Sequence, residues 1–158
     1  MEKKEYILFG NGGHSRVLKD LIELLNGEVV HVFDNDNPYN PDIFPNATLI
    51  IAIGNTKIRE KITKEIKHKL GILIHPSAVV SKNVQIGEGT VILANSVIQT
   101  GSKIGRHIIV NACVVIDHDV IIEDFVNIYP NAYIGGEAKI SDHITIEPNT
   151  VIPRLTIV

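Results

Sequence analysis

The sequence predicts a small Rossmann-like α/β domain built on a parallel sheet, followed by a parallel β-helix of hexapeptide repeats, and three observations predict it. From Val80 onward every sixth residue is aliphatic, through Ile98, Ile116 and Ile134 to Ile152 and Val158, without one exception. Two residues before each of these the side chain is small or β-branched, as at Ala78, Thr90, Ser96, Ser102, Ala132 and Thr150. Ahead of this ladder, short apolar runs alternate with two stretches of helical periodicity. No α-helix or ordinary sheet sustains a period of six, whereas a hexapeptide β-helix requires it.

In chain order, Tyr6-Ile-Leu-Phe9 reads as a buried strand and Gly10-Asn-Gly-Gly13 as the tight turn leaving it. Val17, Leu18, Leu21, Ile22 and Leu25 recur at helical spacing, and Asn26-Gly27 supplies a left-handed stop. Val29 to Phe33 is a second strand, so the glycines sit at a helix N-terminus inside a βαβ unit. Bare backbone N–H groups and the positive end of the helix dipole there favour a phosphate or carboxylate. Gly10-Asn-Gly12-Gly-His14-Ser15 keeps two glycines of G-x-G-x-x-G and has Ser15 in place of the third. A tight turn with no ligand is the alternative. Asp34, at the end of the second strand, suits a ribose hydroxyl, and in its Asp-Asn-Asp-Asn run plain turn chemistry explains it equally well.

Asn35 to Asn46 is polar, proline-containing loop, and Thr48 to Ile53 makes a third strand ending at Gly54-Asn55. Ile58, Ile62, Ile66 and Leu70, spaced by four, mark a second helix with Glu60/Lys64 and Glu65/Lys69 pairs on its exposed faces. Ile72 to Ile74 closes the small domain, and His75-Pro-Ser bends the chain into the repeats. Residues 1–75 and 76–158 are therefore expected as two domains. Ligands of parallel α/β sheets bind beyond the carboxyl ends of strands, which draws Gly10 to His14, Asp34 and Gly54-Asn55 to one crevice.

In the ladder, residues two apart share a face, so the large and the small position both point into a narrow interior. The next position along (Gly87, Gly105, Asn111, Asp117, Gly135, Ser141) favours small or turn-forming residues and is expected at the corners. Three hexads close one triangular coil of about eighteen residues. An antiparallel sandwich also needs many short strands, but unequal loops would interrupt its period.

Composition narrows the partners. The 158 residues, 44% hydrophobic, suffice for one ordinary domain or two small ones. A net charge of −3 without long charge runs leaves no footprint for nucleic acid or an anionic membrane. One cysteine, Cys113, cannot form an internal disulfide and fits a reducing cytoplasm. The amino terminus, Met1-Glu-Lys-Lys-Glu, precedes too short an apolar run for a signal peptide or a membrane span.

The ladder has one candidate chemical centre, Ile116-Asp117-His118-Asp119. A histidine between two carboxylates can be held in one tautomer with its imidazolium stabilised, which prepares a general base. Either carboxylate can orient it, and a solvated polar turn is the alternative, as expected for His107 and His143. Counting one coil each way, Thr100 and Gly136 stack against His118, and Gly136 leaves the imidazole open. Seven histidines without a two-ligand spacing supported by Cys or Glu give no reason for zinc, so no metal is expected.

Four segments together carry a family resemblance. Gly10-x-Gly-Gly-His14, Ile51-Ala-Ile-Gly-Asn55 followed by Ile58-Arg59, His75-Pro-Ser-Ala78, and Val110-Asn-x-x-x-Val-Ile-Asp-His-Asp119 resemble the NeuD/PglD-type sugar acetyltransferases of bacterial surface-glycan synthesis. The resemblance covers nearly the whole chain. It implies a left-handed β-helix, a homotrimer, and acetyl transfer from acetyl-CoA to the 4-amino group of a nucleotide-linked sugar. The alternatives are O-acetylation of a sugar or sialic acid hydroxyl, or a catalytically weak trimeric protein that binds nucleotide sugars.

Position by position, the resemblance makes His118 the general base, Asp119 its acidic neighbour and Asn111 an active-site asparagine. It assigns Gly10, Gly12, His14, Asp34, Ile53 and Asn55 to the nucleotide-sugar pocket. The coenzyme's pantetheine arm is expected along Gly135, Gly136 and the outer wall near Tyr133. Asn111 and His118 lie on successive corners, about 15 Å or more apart at strand rise, so one site can use both only between neighbouring subunits. Family chains continue for another coil or two into a tail that packs on coenzyme A. This sequence ends at Ile152-Pro-Arg-Leu-Thr-Ile-Val158, so an exposed apolar edge and weaker coenzyme binding are expected.

Overall fold

The computed structural model describes residues 3–158. Met1 and Glu2, the start of the charged amino terminus, lie outside the described residues. The chain forms two compact units that meet in sequence between Leu73 and Ile74.

The first unit is a three-stranded parallel sheet with β1 (Lys4–Phe9) between β2 (Gly27–Phe33) and β3 (Thr48–Ile51). Helix α1 (Gly13–Leu24) makes the crossover from β1 to β2, burying Leu18, Leu21 and Ile22 while Val17 stays exposed. Ile7, Phe33, Leu49 and Ile51 form a core joined by Phe9, Tyr39, Ile62, Ile66 and Leu70. Chain direction reverses its side of the sheet at β1, so the β1 and β3 carboxyl ends frame the position where such folds bind ligands.

Helix α2 (Thr56–Thr63) is shorter than its sequence pattern predicts. The aliphatic spacing continues to Leu70, but tertiary hydrogen bonds take over beyond Thr63. In the last turn the Thr63 hydroxyl donates back to the Glu60 carbonyl (2.6 Å), and beyond it the Lys67 N–H is captured by the Tyr39 hydroxyl (2.9 Å). His68 is held by that same hydroxyl and by the Ile43 carbonyl. Leu70 then bridges to Leu49 in parallel. Of the two expected surface pairs, Glu60–Lys64 forms at 3.1 Å.

The second unit is a parallel β-helix. Strand β4 (Leu73–Ile74) is its first rung, so the Ile72–Ile74 run begins the solenoid instead of closing the first sheet. Thirteen two-residue strands follow, one every six residues, from β5 (Val79–Val80) to β17 (Val151–Ile152). One face holds β4, β7 (Val91–Ile92), β10 (Ile109–Val110), β13 (Asn127–Ile128) and β16 (Thr145–Ile146). The second holds β5, β8 (Val97–Ile98), β11 (Val115–Ile116), β14 (Tyr133–Ile134) and β17, and the third β6 (Gln85–Ile86), β9 (Lys103–Ile104), β12 (Ile121–Ile122) and β15 (Lys139–Ile140). Registers such as Val97↔Val115 and Val115↔Tyr133 set one coil at 18 residues.

The interior is the aliphatic ladder with its smaller partners: Ile116, Ile128, Ile134 and Ile140 are fully buried beside Val114, Val120, Ala132 and Ala138. Interior hydroxyls are satisfied by backbone. Thr90 donates to the Gly105 carbonyl, Ser96 to that of Asn111 and Ser102 to that of Asp117.

The corners depart from expectation. The demanding backbone position lies three residues after each ladder aliphatic from Ile86 to Ile152, not one. Gly89, Asn95, Gly101, His107, Cys113, Asp119, Phe125, Asn131, Glu137, His143, Asn149 and Leu155 all have positive φ, an unbroken period of six. Small residues one step after the aliphatic answer a different constraint. A Cβ on Gly135 would approach the backbone of Pro153 and Arg154 in the next coil within 2.9 Å, so that position is small because coils stack closely.

Candidate active site

In the first unit the carboxyl ends of the three strands surround a cleft of about 360 Å³, lined by Phe9, Gly10, Gly12, His14, Asp34, Ile53 and Gly54 among others. Gly10 is fixed by geometry: its φ is +113°, and a Cβ would lie 2.9 Å from Ile53 Cγ1 and 3.0 Å from the Ala52 carbonyl oxygen. Gly12 is the N-cap of α1 without a side-chain cap, so the first N–H groups of that helix have no local side-chain acceptor there. Ser15, where the third glycine of the fingerprint would stand, is fully buried, so a small residue still serves the close approach of helix to strand.

His14 stands in the first turn of α1 with its Nε2 buried and without a hydrogen-bond partner among the described residues. Burial, reinforced by the nearby Arg59 cation, lowers its pKa to about 4, so the ring is neutral at physiological pH. Arg59, on α2, is 1% exposed and donates to the carbonyls of Ile53 (2.7 Å) and Gly54 (3.1 Å), fixing the loop that forms one wall of the cleft. Nothing in the helical pattern around Ile58 distinguishes this arginine from a surface residue. Asp34 lines the cleft and is also a turn acceptor, taking the N–H groups of Asp36 (3.0 Å) and Asn37 (2.9 Å). Asn55 caps α2, its Oδ1 accepting from the Ile58 N–H at 3.0 Å, and is not part of the cleft lining.

In the β-helix, His118 follows β11 at a corner where two carboxylates divide the work. Asp119 Oδ2 lies 2.9 Å from His118 Nδ1. An ionised carboxylate only accepts, so Nδ1 carries the proton and Nε2 keeps its lone pair. Asp117 holds the main chain instead, with Oδ1 accepting the His118 N–H (2.8 Å) and Oδ2 the Tyr133 hydroxyl (2.9 Å). The hydrogen bond to Asp119, with further attraction from Asp117 and Glu137, raises the imidazole pKa above its ordinary value. The His118 N–H and then the Tyr133 hydroxyl hold the Asp117 carboxyl below the usual carboxylate range.

Nε2 faces Gly136. A Cβ built there would stand 2.8 Å from Nε2 and 3.0 Å from Cε1, so only glycine leaves that edge of the ring accessible. The turn is stiffened from the preceding coil: Ser102 Oγ donates to the Asp117 carbonyl (2.8 Å) and accepts from the Val120 N–H (3.1 Å). Asp119, the left-handed residue, donates its N–H to the Thr100 carbonyl at 3.0 Å. Ser102 enters the sequence reading only as a small interior residue. Tyr133 is found by counting: its register partner is Val115, which sets it beside Asp117.

Asn111 stands on a different corner, after β10. Its Nδ2 donates to the Ile128 carbonyl (3.3 Å) and its own carbonyl accepts from Ser96. Gly135 and Gly136 follow β14, the former under the next coil and the latter against His118. Among the described residues no group of three or more His, Cys, Asp or Glu is placed to hold a metal ion, and no helix is long and apolar enough to cross a membrane.

The model of the bacterial transferase hexapeptide (six repeats) matches residues 83–118, ending on His118. UDP-N-acetylbacillosamine N-acetyltransferase of Bacillus subtilis (strain 168) is 30% identical over 112 residues, covering 58% of this chain and 52% of that protein. The chain thus spans about half the length of this curated relative. Perosamine N-acetyltransferase from Caulobacter crescentus, solved as a mutant in complex with CoA and GDP-perosamine, superposes with a TM-score of 0.84 at 25% identity, over 97% of this chain and 84% of that one. The acetyltransferase domain of PglB from Neisseria gonorrhoeae FA1090, in complex with acetyl coenzyme A, gives 0.69 at 28% identity, over 99% and 88%. The resemblance to sugar acetyltransferases drawn from the motifs therefore holds in repeat, sequence and fold.

Proposed function

We propose that this protein transfers acetyl from acetyl-CoA to the amino group of a nucleotide-linked 4-amino sugar, with His118 as general base. The observation that carries the reading is the free Nε2 edge of a histidine fixed through Nδ1 and facing Gly136. Similarity to two N-acetyltransferases, one named for a UDP sugar and one solved with GDP-perosamine, supports the substrate class. The reading extends to a left-handed helix, a cytoplasmic homotrimer with sites between subunits, and a place in surface-glycan synthesis.

In this chemistry His118 Nε2 takes a proton from the sugar amine as its nitrogen attacks the thioester carbonyl. Asp119 holds the ring and stabilises the imidazolium so formed. Asn111 of a neighbouring subunit, or backbone N–H groups, offset the charge developing on the carbonyl oxygen. On collapse the C–S bond breaks, and His118 returns the proton to the departing thiolate. The products are an amide and free CoA, with no covalent enzyme intermediate and no role for Cys113. The first unit is read as a Rossmann-like nucleotide-sugar domain. Its Gly10–His14 turn would take the phosphates, and Asp34 and Ile53 the nucleoside, with Asn55 shaping the wall. Gly135 and Gly136 border the path of the pantetheine arm.

The test is thiol release from acetyl-CoA with a panel of acceptors: UDP- and GDP-linked 4-amino sugars, and the same sugars with a hydroxyl in place of the amine. Turnover confined to the amino sugars is expected. Turnover on the hydroxyl series alone, or none with any acceptor, would overturn the assignment.

A further inference from the structure

We propose that Tyr133 is a positioning residue for His118 and acts through Asp117, an inference that rests on His118 being the base. Beside the backbone bonds of the coil, in which the Asp119 N–H donates to the Thr100 carbonyl and the Glu137 N–H to the His118 carbonyl, each at 3.0 Å, three side chains anchor the corner, and they are not equivalent. Asp119 fixes the imidazole at Nδ1 but not the peptide from which the ring hangs. Ser102, fully buried, fixes the carbonyl of Asp117 and the N–H of Val120, the two ends of the turn. The peptide N–H of His118 itself is held by one group, the Asp117 carboxylate at 2.8 Å.

That carboxylate is a surface group with two staggered alternatives open to it, and an unanchored aspartate would sample them. Tyr133 selects one. Its ring stands on the outer side of β14, one coil beyond Asp117, and its hydroxyl reaches Oδ2 at 2.9 Å. A two-torsion aromatic side chain loses little freedom in making this bond, so it is a stiff strut where a longer polar chain would be a loose one. The hydroxyl donates to an anion, and that bond raises the phenol pKa, so the strut stays protonated across the working range. The same anion is one of the groups that stabilise the imidazolium, together with Asp119 and Glu137. Arg154, paired with Glu137, attracts the Asp117 carboxylate from two coils on. Tyr133 therefore governs the aim of the base through the backbone, while Asp117 also contributes charge.

Two substitutions separate these effects. Y133F removes one hydroxyl and keeps the ring. It should lower kcat about tenfold, as a small misaim of a catalytic group does, with KM for donor and acceptor within about twofold of the parent. Imidazole ¹⁵N spectra of His118, which need no turnover, should show a single Nδ1–H tautomer above its titration in the parent protein and a tautomer mixture in Y133F. D117N keeps an acceptor for the His118 N–H and removes the charge, so the acid limb of the pH–rate profile should move to lower pH. A Y133F protein with parental kcat and a parental spectrum overturns the inference. A parent protein with the single tautomer but no acetyl transfer overturns the functional reading instead, and the Y133F spectrum then decides the positioning role by itself.

Discussion

Gly136→Ala is the most informative single substitution because the structure fixes what it must do. The added methyl would stand 2.8 Å from His118 Nε2, with Cε1 and Cδ2 of the same ring its next nearest neighbours at 3.0 and 3.3 Å. Ordinary contact begins near 3.4 Å, so the ring edge must withdraw by about 0.6 Å. The ring can move, since its far end is exposed, and a rotation off its rotamer costs about 1 kcal/mol. Alanine is therefore expected to leave the melting temperature nearly unchanged. The same withdrawal stretches the 2.9 Å bond to Asp119 and covers Nε2 with a methyl group. Misplacement of a catalytic group on this scale lowers kcat by about a hundredfold. Steady-state thiol release and a thermal melt measure the two quantities side by side. A folded Gly136→Ala protein with parental kcat would show that Nε2 does not face the acceptor, and the role given to His118 would fail with it.

Three further outcomes follow from the same geometry. Asp119→Asn suits the left-handed backbone at φ 59°, so the fold should hold, but loss of the anion lowers the His118 pKa; the acid limb of kcat/KM should move to lower pH as kcat falls, read from a pH–rate profile. His14, with a pKa lowered to about 4, stays neutral above about pH 5, so nucleotide binding followed by calorimetry should be flat from pH 5.5 to 8 if it involves this ring; because the unfolded histidine takes up its proton first, stability should decline as pH falls below about 6.5 and level off near 4. Ile116→Ala, deep in the ladder and directly before the Asp117–His118 turn, should cost about 2–5 kcal/mol in urea unfolding, with the solenoid losing stability before activity is lost at low temperature.

The solenoid was legible because a period of six has one structural meaning, and the 18-residue register of Val97↔Val115 and Val115↔Tyr133 follows from it. Its left-handed corners were not, since Phe125, Glu137, His143 and Leu155 occupy positions where sequence patterns look for glycine or asparagine. Repetition of the coil imposes the conformation on whatever side chain is there. The end of α2 was hidden for a related reason: Tyr39, 28 residues earlier, captures Lys67, and no local pattern encodes that. At the candidate site, the Asp-His-Asp triplet and the stacking of Gly136 could be read by counting. The split of labour between Asp117 and Asp119 could not, because both flank His118 equally in sequence and only the turn geometry aims one at the ring and the other at the peptide. Arg59 was marked in the sequence as part of the Ile58-Arg59 motif, but its burial stayed hidden because a buried arginine and a surface arginine look alike on a helical wheel.

The central claim, that His118 is the base of acetyl transfer to a sugar amine, is tested most directly by His118→Asn in a kinetic assay with acetyl-CoA and a nucleotide-linked 4-amino sugar, with donor binding followed in parallel by calorimetry. The expected result is a loss of kcat of about 10²–10⁴-fold with acetyl-CoA affinity retained. A variant that binds acetyl-CoA and turns over at the parental rate would contradict the claim.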